Sequence, residues 1–314
     1  MFAFADWLDQ LLHHLSNTAP SGSFFAYGYT LRALLALILV SLSCGAVGSL
    51  VVGGRMAFFS DALAHCAFAS VSIGFVMFTM LMPRGDKDEF WNWVTPVMLA
   101  FGVLIGYSIA SVRERTGLTS DTVIGVFFAG AIGLAAMLRK VMQNRQLFSL
   151  EDFLFGDPLL VRADDVLWLG GLTVLVGVGL ALIYNDLLLV GVSNSLALSR
   201  NVRGKLASYA FIMLLALVVN LCVRTVGVLL INALLVVPAA TATNFCRNLR
   251  QMFWVTILLC MVSSLGGLAI DWEASMRYNL RLGIPGVIVL ITVVLFVLSI
   301  LAGPWLRNRP VRST

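Results

Sequence analysis

The chain reads as an all-α polytopic membrane protein with about eight or nine transmembrane helices. Of its 314 residues, 60% are hydrophobic and 12% charged, with a mean hydropathy of +0.94. That is about half the ~25% charge of an ordinary soluble domain. The hydrophobic residues also come in continuous runs close to the ~20 residues that cross a hydrocarbon core. A transmembrane β-barrel would instead show short alternating segments. Finally, the 21 basic and 16 acidic side chains gather in short clusters between the runs, where they cannot clothe a soluble surface. A soluble enzyme, a disordered regulator and a disulfide scaffold are thereby excluded. The five cysteines are odd in number, contain no Cys-x-x-Cys and lie mostly inside apolar runs, where a thiol behaves as a small hydrophobe.

Residues 1–26 form an amphipathic segment ahead of a transmembrane domain over 27–303, and 304–314 form a basic tail. In the first segment Phe2, Phe4, Trp7, Leu8, Leu11, Leu12 and Leu15 follow a helical period, with Asp9, Gln10, His13 and His14 mostly on another side. This pattern predicts a helix lying in the membrane interface. Asp6, Asp9 and the lack of a basic start argue against a signal peptide. His13 and His14 point about 100° apart on a helix and read as solvated.

The apolar runs are 29–52, 56–82, 93–112, 122–138, 166–190, 206–223, 226–240, 252–270 and 286–301. Segment 139–165 is amphipathic and reads as a surface helix or a re-entrant piece. Basic residues without acids mark loops 191–205 (Arg200, Arg203, Lys205) and 241–251 (Arg247, Arg250) and the tail (Arg307, Arg309, Arg312) as cytoplasmic. Loop 271–285 balances Asp271 and Glu273 against Arg277 and Arg281 and faces the other side. In the first half the rule conflicts with itself. Arg139, Lys140 and Arg145 look cytoplasmic, whereas strict alternation places them outside. The net charge of +5 thus describes topology, and no nucleic-acid partner is expected. Two stripes of small residues, Gly102/Gly106/Ala110 and Gly125/Ala129/Gly133, have the spacing that lets membrane helices approach closely.

The most informative feature is Asp61-Ala-Leu-Ala-His65, early in the second run. Charged groups inside a span cost several kcal/mol, so each needs a reason. Four residues apart, Asp61 and His65 share one helix face. A carboxylate and an imidazole together suit a divalent transition metal. Two other readings stay open: Ser60 and Asp61 as a helix cap, or a pair that bonds only to itself. Cys66 points away from His65. Two ligands leave a shell for water or other helices to complete, which suits a transient stop on a pathway. Ser72, Tyr107, Asn220 and Asn232 are polar residues that either line such a pathway or bridge helices. Arg224 reads as an interfacial snorkelling residue.

A second feature runs from Val226-Gly-Val-Leu-Leu-Ile-Asn-Ala-Leu-Leu-Val-Val to Pro238-Ala-Ala-Thr-Ala-Thr-Asn-Phe245. Pro238 is expected to break or kink this span near its cytoplasmic end. The small residues Ala239, Ala240, Thr241 and Ala242 would then turn the chain into a short basic helix carrying Arg247 and Arg250, a docking knob for another protein. No P-loop is present: Gly204-Lys205 leads into Leu206 without the preceding glycine.

Together the two stretches resemble the membrane permeases of ATP-binding-cassette importers for zinc and manganese. Phe58-Phe-Ser-Asp61-Ala-Leu-Ala-His65, ending at Gly74, is similar to one family pattern, and Val226 to Ala242 to another. Ser120-Asp-Thr-Val-Ile-Gly125, Leu154-Phe-Gly156 and Gly283-Ile-Pro-Gly286 are weaker echoes. The likeness spans roughly residues 30–302. Asn244-Phe245 depart from it, standing where an arginine often follows.

The resemblance implies a bundle like that of the type II importer permeases, in a bacterial cytoplasmic (inner) membrane. It implies a homodimer of permease chains, a separate cytoplasmic ATP-binding subunit and an extracytoplasmic metal-binding protein, with lipid around the whole. Asp61 and His65 would contact the transported ion, zinc or manganese and by extension iron, with no permanently bound cofactor. Pro238, Ala239, Ala240, Thr241, Arg247 and Arg250 would couple to the ATPase. The competing functions are a permease for an iron chelate or cobalamin, which needs no such pair, and a proton-coupled secondary transporter using Asp61 and His65 as a relay.

Overall fold

A computed structural model describes residues 2–18, 24–54, 56–81, 87–118, 120–142, 155–192, 204–246, 248–280 and 282–307. Among them no strand occurs. The α-helices are α1 (Phe2–Thr18), α2 (Gly28–Gly53), α3 (Ala57–Leu81), α4 (Lys87–Thr116) and α5 (Ser120–Met142). They continue with α6 (Ala163–Val192), α7 (Gly204–Val226), α8 (Val228–Phe245), α9 (Leu249–Tyr278) and α10 (Ile284–Arg307). Eight are long and apolar enough to span, and α5 holds a shorter apolar stretch over 122–138. Each of the nine apolar runs thus becomes a helix, and the amphipathic segment becomes α1.

Two compact units divide the chain: residues 1–52, 157–170 and 229–314 form one, 53–156 and 171–228 the other. In the first, α2 runs antiparallel to α9. The Ser41 hydroxyl donates to Ser264 at 2.8 Å in a buried contact, and Gly45 lets the backbone of Ile257 approach: a Cβ there would stand 2.8 Å from the Ile257 Cα. At the start of α2, the rings of Phe24 and Tyr27 lie 5.3 and 5.6 Å from that of Trp272. The start of α2 therefore sits beside the end of α9. Loop 271–285 reads as extracytoplasmic from its charges, so α1 and the start of α2 share that side.

Pro238 does not break α8, which continues to Phe245. A proline lacks the N–H that would bond the carbonyl four residues back, here Leu234. The Cys260 thiol of α9 donates to that same carbonyl at 3.3 Å, inside the core. Gly48 of α2 meanwhile packs directly onto the Leu235 carbonyl, leaving no room for a Cβ. Further on, Thr241 donates to the Val237 carbonyl at 2.8 Å. Neighbouring helices thus supply the satisfaction the proline removes, and the expected turn over Ala239–Ala242 is replaced by helix. The turn falls instead between Phe245 and Asn248, the N-cap position of α9.

In the second unit α3 packs on α4 and α5, and α4 packs on α7. The α4–α7 register is antiparallel. Arg224 donates to the Thr95 hydroxyl, Gly102 and Gly106 face Asn220 and Ala216, and Tyr209 donates to Glu114 at 2.8 Å. Arg224 is therefore bonded across to α4 and not simply snorkelling. The α4–α5 turn lies at the end where α7 begins, next to the cytoplasmic loop 191–205. Since α5 then runs away from that end, Arg139 and Lys140 lie at the opposite end of α5 from the α4–α5 turn. Arg145 and the re-entrant segment expected over 147–162 fall partly outside the described residues. The end of that stretch is a loop with a 3-10 turn, Pro158–Leu160, whose start is capped by the Asp157 side chain.

Where the loop enters this unit, Gly156 (φ +63) presses against Gly227 (φ +84), the single residue between α7 and α8. A Cβ on Gly156 would stand 2.6 Å from the Gly227 nitrogen, and one on Gly227 would stand 2.6 Å from the Phe155 carbonyl carbon. Backbone touches backbone here, in a left-handed conformation that glycine alone adopts freely.

Candidate metal pathway site

Asp61 is the fifth residue of α3, past the positions whose N–H groups a cap would satisfy. Ser60 is buried and donates back to Ala57 at 3.0 Å. The capping alternative is thereby removed. Asp61 Oδ1 and His65 Nε2 are 3.8 Å apart, beyond hydrogen-bond range. Two ligands each ~2.0–2.2 Å from a shared ion, subtending roughly 120–130°, have this separation. The separation is compatible with an ion between the two atoms.

Its depth follows from register. Gly74 of α3 faces Val94 of α4, where a Cβ would lie 3.1 Å from the valine Cγ2. Counting back along α3 and forward along α4, Asp61 and His65 come level with residues 103–107. Those in turn face Asn220 and Ala216, near the middle of the Leu206–Val226 span. The pair thus comes level with the middle of the α4 and α7 spans although it is close to the start of its own helix.

His65 is held from the side by Phe128 of α5, with ring centroids 4.9 Å apart and planes at 88°. The side chains of His65 and Asp61 remain 29% and 43% exposed, so the face is open in a single chain. Cys66 points the other way and is buried with Ala69 and Ala131, which excludes it as a ligand. Among the described residues no group of three or more His, Cys, Asp or Glu converges. Among the described residues, then, the pair stands without a third such side chain.

The polar residues expected to line the pathway or bridge helices mostly serve their own helices. Ser72 donates to Phe68 at 3.0 Å and Asn220 to Ala216 at 2.8 Å, while Tyr107 is exposed beside Tyr209 at 5.9 Å between rings. Asn232 is half-buried in α8. Of the residues assigned to coupling, Pro238, Ala239 and Thr241 are buried, Ala240 is half-buried and Arg250 is exposed. Arg247 lies outside the described residues. Buried groups cannot form a docking face directly, so the exposed surface there belongs to Thr243, Phe245, Asn248 and Arg250. Close by, Cys246 is packed with Ala239, Ala242 and Met252, and burial pushes its thiol above the usual range. The part of the site that sequence reasoning missed is Phe128, an aromatic in an aromatic-rich run with no polar signal to mark it.

Eight helices long and apolar enough to span, around a carboxylate–imidazole pair, are the features of a polytopic membrane protein. The description of the ABC 3 transport family matches residues 26–303; the chain belongs to this family and is the permease subunit of an ATP-binding-cassette transporter, multi-pass in the bacterial cytoplasmic membrane. It is 30% identical to the manganese import system permease protein ScaB of Streptococcus parasanguinis, over 88% of this chain and 91% of that one. It is also 30% identical to the high-affinity zinc uptake system membrane protein ZnuB of Haemophilus influenzae, over 85% and 95%. Its fold is similar to that of PsaBC from Streptococcus pneumoniae solved in complex with Fab, with a TM-score of 0.71 at 24% identity, covering 90% and 94% of the two chains.

Proposed function

We propose that this permease imports manganese or zinc, and that the ion is handed through the membrane by way of Asp61 and His65. The observation that carries the reading is the 3.8 Å Asp61–His65 gap on an open face of α3, level with the middle of the α4 and α7 spans. The relatives named for manganese and zinc import support the substrate class. Carboxylate plus imidazole accepts both ions, with intrinsic affinity favouring zinc. An iron chelate or cobalamin would present a bulky organic surface and leave this charged pair without a partner.

A two-ligand face that is open in one chain is completed when a second copy meets it. The exposed stripe Gly125/Ala129/Gly133 on α5, with no atom within 4 Å of where a Cβ would stand on Gly125 or Gly133, fits such a homodimer. A cytoplasmic ATP-binding subunit docks on the α8–α9 turn through Arg247 and Arg250. Pro238, Ala239, Ala240 and Thr241 act there by shaping and seating the end of α8. An extracytoplasmic metal-binding protein delivers the ion, residues 27–303 form the transport domain, and 304–314 form a cytoplasmic tail.

The test is competitive uptake of radiolabelled manganese and zinc into cells carrying Asp61→Ala or His65→Ala. Each variant is expected to lose uptake while still co-purifying with its ATPase. Normal uptake of both metals by both variants would sink the assignment. Arg250→Glu is expected to do the reverse, weakening ATPase association with the ligand pair intact.

A further inference from the structure

α1 lies ahead of the residues the family match covers, and the transport cycle above gives it no role. Most of its described side chains fall into three sectors on a 100° wheel, with exposed His14 and Thr18 falling beside Trp7 and Leu11. Leu12 and Ser16 are buried against the protein. Gln10, His13 and Asn17 are exposed and polar. Trp7 and Leu11 are exposed and apolar, at 52% and 39%. An exposed Trp and Leu one turn apart, edged by polar side chains, suit the boundary between water and acyl chains.

Two further observations set its depth and side. Asp9 lies 3.7 Å from Arg32, the fifth residue of α2, so α1 is tethered about one turn inside the start of a span. At the same level stand the aromatic rings of Phe24, Phe25, Tyr27, Tyr29 and Trp272, an aromatic cluster of the kind that marks the headgroup zone. The antiparallel packing of α2 and α9 puts this zone beside loop 271–285, whose balanced charges make it extracytoplasmic in our reading.

We infer that α1 is an in-plane anchor in the outer leaflet, with Trp7 and Leu11 seated among acyl chains and Gln10, His13 and Asn17 facing water. Its partner is the lipid surface, continuous with the aromatic zone beside it. The Asp9–Arg32 pair fixes its height and neutralises an arginine inside the span.

The test uses the full-length chain in right-side-out vesicles and an impermeant maleimide. Cys44, Cys66, Cys222 and Cys260 are buried, and Cys246 sits at the cytoplasmic end of α8, so background labelling from outside is low. His13→Cys and Asn17→Cys are expected to label readily from outside, and Leu11→Cys roughly tenfold more slowly, the factor equivalent to ~1.4 kcal/mol of burial. Equal rates at positions 11 and 13 would overturn the proposal, as would labelling of position 13 only after the cytoplasmic face is opened. A photo-crosslinking benzoyl-phenylalanine at position 11, in vesicles with radiolabelled phospholipid, identifies the neighbour. A lipid adduct supports the anchor, whereas a chain–chain dimer or an adduct to another protein overturns it.

Discussion

The stripes on α4 and α5 read alike in sequence and behave in opposite ways in the structure. Gly102 and Gly106 on α4 are spent on α7: a Cβ on Gly102 would meet the Asn220 amide, and one on Gly106 would lie 3.2 Å from the Ala216 methyl. Gly125, Gly130 and Gly133 on α5 meet nothing within 4 Å, and Ala129 is exposed. Small residues in lipid permit close approach but do not say to what. The α4 stripe builds the unit that holds the Asp61–His65 pair, and the α5 stripe borders the same pair from an uncovered side. One face is spent inside the fold and the other is left exposed.

Substitutions separate these two uses. The largest effect is expected for Gly102→Leu, which forces a branched side chain into the Asn220 amide. Overpacking of this kind costs ~1–3 kcal/mol or more and should appear as a lower unfolding temperature or failed expression. Gly133→Leu should leave the unfolding of a single chain within ~0.5 kcal/mol of wild type yet shift size-exclusion or cross-linking profiles from dimer to monomer. If it unfolds the chain instead, the distinction between the stripes fails. A smaller effect is the coupling between Gly102→Ala and Asn220→Ala: removing the amide should recover ~0.5–3 kcal/mol of the alanine's cost, read in a double-mutant cycle of denaturation midpoints. The smallest is Gly130→Ala, where alanine's better helix propensity alone should stabilise by up to ~1 kcal/mol. A glycine-to-alanine change thus carries opposite signs on the two helices.

The sequence makes some of this legible and hides the rest for physical reasons. Asp61 and His65 stand out because charge is scarce and the two are one turn apart. Their level with the middle of the α4 and α7 spans does not, because it depends on how α3 slides against α4 and α7. Nine apolar runs, each of which becomes a helix, are legible from run length alone. The side on which Arg139 and Lys140 emerge is not, since local charge and strict alternation disagree. Pro238 signals a break that never forms, because the compensating donor, Cys260, lies on another helix. Phe128 carries no polar mark at all, yet it fixes the ring of His65.

The Cys260–Leu234 contact also has a consequence for biogenesis. Its two partners are 26 residues apart in the chain, and the acceptor is synthesised first. At about 5–20 residues per second, the ribosome needs roughly one to five seconds to deliver the donor. During that interval α8 enters the insertion machinery with a bare carbonyl and is a poorer membrane segment than its composition implies. Its stable lodging waits on the arrival of α9, so the two helices should partition into the bilayer as a pair.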